Sequence, residues 1–332
     1  MSTKQHPLGS GFTAATTAAD VVAGLDLAGR TAIVTAGHVG LGLETTRALA
    51  SAGAAVVVAA RRPDAAAQAL SGIDGVRVEQ LDLTDPASID AFAARFLQTG
   101  QPLHILANNA GIMGGDLTRD ARGYEIQFAT NHLGHFQLTH ALLPALRGAG
   151  GARVVTVSSW GHHLSDIRWE DPHFESGDYE GMVAYGQSKT ANVLFAVELD
   201  RRWAGDGIRG YALHPGGIAN TNLAPWLTDD DLRTMGLLDE HGEPIIDPDR
   251  DRKTPQQGAA TTVFAATSPL LAEIGGVYLQ NSDIAPLEAT HFEVNPEIRT
   301  DDLEMTVAVT PYAVDPDSAR RLWEMSEKLL AP

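Results

Sequence analysis

Tyr185 and Lys189 stand four residues apart in Val183–Trp203, a stretch whose length and composition predict a helix, so the two side chains share one helical face. An ammonium beside a phenol favours the ionised form, and it is the available lever on a group whose unperturbed pKa is about 10. Such a pair gives or takes a proton near neutral pH, which is the chemistry of carbonyl reduction and alcohol oxidation. Upstream, Thr35-Ala36-Gly37-His38-Val39-Gly40-Leu41-Gly42 joins a β-rich run to a helix. Glycines let backbone approach a pyrophosphate there, and the helix start offers free N–H groups with partial positive charge. Arg61 and Arg62 end the next strand, where an NAD site would carry Asp or Glu. Guanidinium groups suit a 2′-phosphate, so NADP(H) is the preferred cofactor, with NAD(H) left open. Each signal has a bland counterpart: Tyr-x-x-x-Lys pairs arise by chance in helices, glycines serve tight turns, and loop arginines can be merely solvated.

The elements that must position these groups alternate. Thr31–Thr35, Ala54–Ala60, Val76–Leu81, Leu103–Ala107, Arg153–Val157, Ile208–Leu213 and Val277–Leu279 read as strands without strict polar alternation, as expected when helices cover both faces of a sheet. Leu43–Ser51, Pro86–Phe96, Tyr124–Leu146, Val183–Trp203 and Gln256–Thr267 are long enough to be crossover helices. The expected fold class is α/β: a single doubly wound Rossmann-type domain with about seven parallel strands. Residues 1–27 read as a loose N-terminal arm before a catalytic domain at 28–332. Insertions at 161–182 and 223–254 follow the carboxyl ends of strands and are expected to form a substrate lid, the alternative being tolerated surface loops. An extension, 283–332, ends in an amphipathic helix over Asp317–Leu330.

Composition narrows the function classes. With 332 residues, 24 Lys plus Arg and 42 Asp plus Glu, the formal charge is 24 − 42 = −18, which argues against nucleic acid or an anionic membrane as partner. The absence of cysteine excludes disulfides, thiolate nucleophiles, iron–sulfur clusters and cysteine zinc sites. Apolar runs such as Ala54–Ala60 are far shorter than the roughly 20 residues of a membrane span, and no secretory signal opens the chain, so a cytoplasmic protein is expected. No metal site is expected: His162 and His163 are adjacent, and no His-x-x-x-His pair with a supporting Glu sits on a clear helix. His132 and His135 are expected to line helix packing, and Trp160, Trp169 and Trp226 are candidates for an apolar substrate wall.

In combination these motifs resemble the short-chain dehydrogenase/reductase family over about residues 28–282. The loop matches at Thr35, Gly40 and Gly42, with Ala36 where the family has its first glycine. Asp82-Leu83, Asn108-Asn109-Ala110-Gly111, Asn131, Ser158-Ser159, Tyr185-x-x-x-Lys189 and Pro215-Gly216 follow in the family's order. The 26 residues from Ser159 to Tyr185, with the runs Ser158–His162 and Asn131–Phe136, are similar to the retinol-dehydrogenase and WW-domain-oxidoreductase-like branch. Light-dependent protochlorophyllide reductases share these traits but rely on an active-site cysteine.

The resemblance implies cofactor contacts along the loop, from Thr35 through Gly37, His38, Gly40 and Leu41 to Gly42, with Asp82 and Leu83 at the adenine and Asn109, Ala110 and Gly111 at the ribose. Lys189 would hold the nicotinamide ribose, and Pro215, Gly216, Ile218 and Thr221, next to Asn220, the carboxamide and pyrophosphate. Tyr185 would be proton donor or acceptor, Ser159 would steady the substrate oxygen and Asn131 a relay water. The implied function is NADP(H)-dependent interconversion of a hydrophobic ketone or aldehyde and an alcohol, in a homodimer or homotetramer. The competing reading is a non-catalytic NADP(H)-binding regulatory protein. A redox-neutral relative such as a dehalogenase would carry Arg at the position of Lys189.

Overall fold

A computed structural model describes residues 4–219, 221, 223–288 and 307–331. Seven Val-, Ile- and Ala-rich runs pair in parallel: β1 (Thr31–Thr35), β2 (Ala55–Ala60), β3 (Val76–Gln80), β4 (Ile105–Asn108), β5 (Ala152–Val157), β6 (Ile208–His214) and β7 (Val277–Gln280). A two-residue β8 (Asp283–Ile284) adds an antiparallel edge, for the order β3-β2-β1-β4-β5-β6-β7-β8. Asn281 and Ser282 make the turn into β8 with φ of +53° and +57°, the left-handed pair that suits a two-residue hairpin.

Alternate strand residues enter two different cores. Ile33, Val57, Leu106 and Val154 pack with Phe92, Phe96, Phe195 and Trp203 on one face. Val34, Val58, Ala107 and Val155 pack with Leu49, Val263 and Phe264 on the other. Burial on both faces removes any need for polar alternation. Because β1 lies between β2 and β4, the chain winds away in opposite directions there, and a crevice opens beyond the carboxyl ends of β1 and β4.

Several elements differ from expectation. The helix expected over Tyr124–Leu146 is four pieces: Ile126–Phe128, a π-helical turn over Ala129–Leu133, Gly134–Ala141 and Leu143–Gly148. Pro144, with no N–H to donate, sits where the last piece starts. The helix after the glycine loop begins at Gly40, three residues earlier than its apolar pattern indicates.

The N-terminal arm is not loose over its described residues. Gln5 Nε2 donates to the Tyr278 and Ala285 carbonyls at 2.6 Å each, and the Tyr278 N–H donates back to Gln5 Oε1. The short Ala18–Val22 helix, closed by a Thr17–Asp20 capping box, drives Val21 and Val22 into the core. The start of the 161–182 insertion is likewise an anchor, since the buried turn Trp160–Leu164 receives the Tyr312 hydroxyl and the Thr310 N–H on His162. The end of the 223–254 insertion returns beside the end of β6, where Arg252 bridges Gly217. The terminal helix, Pro316–Leu329, buries Leu322 and Trp323 against the body. Residues 289–306 of the C-terminal extension, and Asn220, lie outside the described residues.

Candidate active site

The crevice is lined by Ala36 and Val39–Leu41 on one side, and by Pro215, Gly216, Ile218, Thr221 and Leu223 on the other. Its floor is Asn109–Gly111, Val157–Ser159, Tyr185 and Lys189. Twelve of the expected site residues therefore meet here: Gly40, Leu41, Asn109, Ala110, Gly111, Ser159, Tyr185, Lys189, Pro215, Gly216, Ile218 and Thr221. Sequence reasoning missed Val39, Val157 and Leu223 as lining residues, because ordinary apolar side chains carry no chemical signature.

The glycine loop splits into two roles. Gly40 takes φ +52° and a Cβ there would meet only Thr221 Cγ2 at 3.9 Å, so it leaves open backbone at the crevice. Gly42 and Gly37 serve packing instead. A Cβ on Gly42 would fall 2.4 Å from the Ala36 carbonyl oxygen, and one on Gly37 would fall 2.7 Å from Thr46 Oγ1. Ala36, in the family's glycine position, has φ +53° and holds that left-handed conformation with its Ala59 hydrogen bond intact.

The site fits a dinucleotide phosphate on the chain's own terms. Val39 provides no side-chain cap to the Gly40–Ser51 helix, and its first turn carries no acid, so the N–H groups and the positive dipole end are free at the crevice. Beside the loop, the half-buried His38 has a buried Nδ1 with no partner among the described residues. Burial holds its pKa below the usual range, and the charge of Arg62 adds to that, which places this guanidinium near the loop. Arg61 and Arg62 are exposed at the end of β2, and neither guanidinium makes an ion pair or hydrogen bond among the described residues.

Thr35 lies beneath the crevice. Its Oγ1 accepts the Asn109 and Ala110 N–H groups at 2.9 Å each, and its carbonyl accepts Asn109 Nδ2 at 3.0 Å. Asn131 does not line the crevice: its Oδ1 accepts the Ile112 N–H, while Nδ2 donates to the Ile112 carbonyl and Ser188 Oγ, all at 2.9 Å. A Cβ on Gly111 would crowd Asn131 Oδ1 at 3.3 Å and Lys189 Nζ at 3.4 Å, so that glycine lets both approach the floor. Asp82 spends one carboxylate oxygen on Thr84, and Leu83 packs under Gly134; neither reaches the crevice lining.

Tyr185, Ser159 and Lys189 converge on the floor. A Cβ on Gly161 would fall 2.7 Å from Tyr185 Cε1, so the ring lies directly against that glycine. Ser159 Oγ accepts the Gly161 N–H at 3.0 Å and faces the same glycine as the ring, 3.3 Å from where its Cβ would be. Lys189 Nζ lies 5.4 Å from the Tyr185 ring centroid and donates to the Val157 carbonyl at 3.1 Å. Burial pushes the phenol up to about 12, against the opposing pull of Ser159, and brings the lysine down to about 7. This corrects the sequence expectation of an acidified phenol, because desolvation dominates its pKa.

None of the three tryptophans lines the crevice; Trp226 packs on a neighbouring loop. It is 47% exposed, lies on Gly114 and Gly115, and donates its Nε1–H to the Met113 carbonyl at 2.7 Å, while the Met113 N–H donates to Leu223. Trp160 stacks on His163, and Trp169 lies under Arg321 in the packing of the C-terminal residues. Among the described residues no group of three His, Asp or Glu side chains could hold a metal, and no helix is long and apolar enough to cross a membrane.

Known proteins resemble the chain in sequence and in fold. The short chain dehydrogenase family profile matches residues 30–171. A probable oxidoreductase of Streptomyces lividans is 45% identical over 92% of this chain and 99% of its own length. Mouse retinol dehydrogenase 11 is 36% identical over 79% of this chain and 80% of its own. A WW domain-containing oxidoreductase of Danio rerio is 35% identical over 95% and 72%. Among solved structures, a Mycobacterium paratuberculosis protein superposes with a TM-score of 0.69 at 34% identity, covering 95% of this chain and 97% of that one. The Pseudomonas aeruginosa RhlG/NADP active-site complex superposes at 0.57 with 25% identity, covering 77% and 95%. With its doubly wound sheet, its glycine loop and its Ser, Tyr and Lys on one crevice floor, the chain belongs to the short-chain dehydrogenase/reductase family of oxidoreductases.

Proposed function

We propose that the protein is an NADP(H)-dependent carbonyl reductase or alcohol dehydrogenase acting on a hydrophobic ketone, aldehyde or alcohol. The observation that carries this reading is the convergence of the Ser159 hydroxyl, the Tyr185 phenol and the Lys189 ammonium on a crevice that the uncapped Gly40 helix also enters. The unpaired Arg61 and Arg62, with no acid in their place, support the phosphate-bearing cofactor, as does the likeness to a protein solved with NADP. Leu223, Val157 and Ile218 supply an apolar wall.

The nicotinamide, when bound, supplies or accepts the hydride. Ser159 holds the substrate oxygen as negative charge develops on it, and Tyr185 delivers its proton to that oxygen. A phenol held near 12 stays protonated at neutral pH and can donate its proton to the substrate oxygen. Lys189 keeps positive charge at the phenol ring as the proton leaves.

The decisive experiment combines cofactor fluorescence titration with NADPH consumption over a panel of ketones and aldehydes. Saturable NADPH binding with turnover of apolar carbonyls is the expected result. Binding without turnover on any of them would instead identify a nucleotide-binding regulator.

A further inference from the structure

His214, the last residue of β6, is buried at 4% exposure between the strand ends and the returning end of the 223–254 insertion. The Trp160 N–H donates into its Nδ1 at 2.9 Å, so that ring nitrogen carries no proton. The single ring hydrogen is therefore on Nε2, which donates to Asp251 Oδ2 at 2.7 Å. Asp251 holds a left-handed φ of +61° while its carbonyl accepts the Gly217 N–H. Lys253 balances its charge at 3.6 Å, reaches Asn281 Oδ1 at 2.6 Å, and lays its stem where a Gly216 Cβ would be, 2.7 Å from Cδ.

The amide that His214 accepts is the one following Ser159. The Ser159 carbonyl is held from the other side by His162 Nδ1 at 2.7 Å and the Tyr278 hydroxyl at 3.3 Å. Ser159 has extended backbone, φ −166° and ψ +161°, and starts a tight turn, so rotating the Trp160 peptide would swing its hydroxyl relative to the phenol. We propose that His214, whose tautomer Asp251 fixes, is a positioning residue that sets the Ser159 hydroxyl through the Trp160 amide. This rests on the reading of Ser159 given above.

Two substitutions separate the two bonds of the imidazole. His214→Asn places an oxygen where Nδ1 is and keeps an acceptor for Trp160, but loses the donor to Asp251. His214→Gln places an amide where Nε2 is and keeps that donor, but leaves the Trp160 N–H without its acceptor. Purified full-length variants are compared for carbonyl reduction by NADPH and for hydrogen exchange at the Trp160 amide. The expected result is a kcat about tenfold lower in His214→Gln with KM for NADPH within about twofold, a kcat within about threefold of the parent in His214→Asn, and Trp160 protection lost in the Gln variant alone. Equal kcat losses in both variants, or undiminished Trp160 protection in His214→Gln, would overturn the proposal. If the parent protein turns over no carbonyl, the enzymatic reading fails by itself, and the exchange pattern still decides whether His214 holds the amide.

Discussion

His135 Nε2 lies 2.9 Å from Thr35 Oγ1, and its Nδ1 lies 3.0 Å from the Asn131 carbonyl. A carbonyl only accepts, so Nδ1 carries the hydrogen and Nε2 is bare; Thr35 must therefore donate its hydroxyl hydrogen to the ring. Its oxygen is then free to accept the Asn109 and Ala110 amides. One histidine thus ties the end of β1, the crevice floor after β4 and the π-helical turn that carries Asn131. Removing it as His135→Ala should destabilise the protein by about 2–4 kcal/mol, from a cavity plus two unpaired buried groups, and should weaken NADPH binding; His135→Gln, with an oxygen to accept from Thr35, should recover part of both. Denaturant melts and cofactor titrations of the two variants check this.

The same residue makes the fold acid-sensitive. Burial holds His135 at about 4 and His132 at about 3, well below the usual 6.5. The folded-state pKa values are depressed, so the unfolded chain binds more protons below pH 6.5, and stability present above that pH is lost as pH falls towards 4. Each group should remove about 2 kcal/mol between pH 7 and 5. A denaturation midpoint unchanged over that range would contradict buried, neutral rings.

Lys189 sets a pH limit on catalysis. Its ammonium, brought down to about 7 by burial, is present below that pH and lost above it. Reductive kcat/KM should therefore fall as pH rises through about 7, and Lys189→Met should be slower with that limb absent. Persistence of the limb in the variant would assign it to another group.

Tyr185→Phe removes the proton donor but leaves the ring packed against Gly161. Turnover should drop by about 10³-fold or more while NADPH affinity changes by only a few-fold. Parallel loss of both in steady-state kinetics and titration would show a residue that merely supports the crevice.

Arg61→Ala should weaken NADPH by about tenfold or more and leave NADH nearly unchanged, because only the former has a 2′-phosphate for the guanidinium. Equal affinities before and after substitution would remove the arginine from the cofactor site. Paired titrations with both nicotinamides give the answer.

Ala36→Gly should stabilise the protein. A Cβ in the left-handed region costs roughly 1–2 kcal/mol, and the extra freedom of glycine in the unfolded chain offsets about 0.4–1 of that. A gain of about 0.5–1 kcal/mol by thermal melting is expected; a loss would mean that the methyl contributes packing that outweighs the strain.

The residues decide much of this protein before any folding is considered. Buried Val, Ile and Ala runs separated by helix-length stretches point to a parallel doubly wound sheet, since apolar strands without alternation need helices on both faces. Motif order names the chemical groups, and twelve of those expected at the site do line the crevice. What the chain order cannot encode is solvent. Only tertiary packing decided that Tyr185 and Lys189 are desolvated enough to move up to about 12 and down to about 7, because desolvation depends on everything that surrounds a group. Packing likewise brought Asp251 from the end of an irregular acidic segment to His214, 37 positions away, and Gln5 of the arm to Tyr278, 273 positions away. Such contacts join residues with no local pattern in common, so they exist only once the sheet has closed around them.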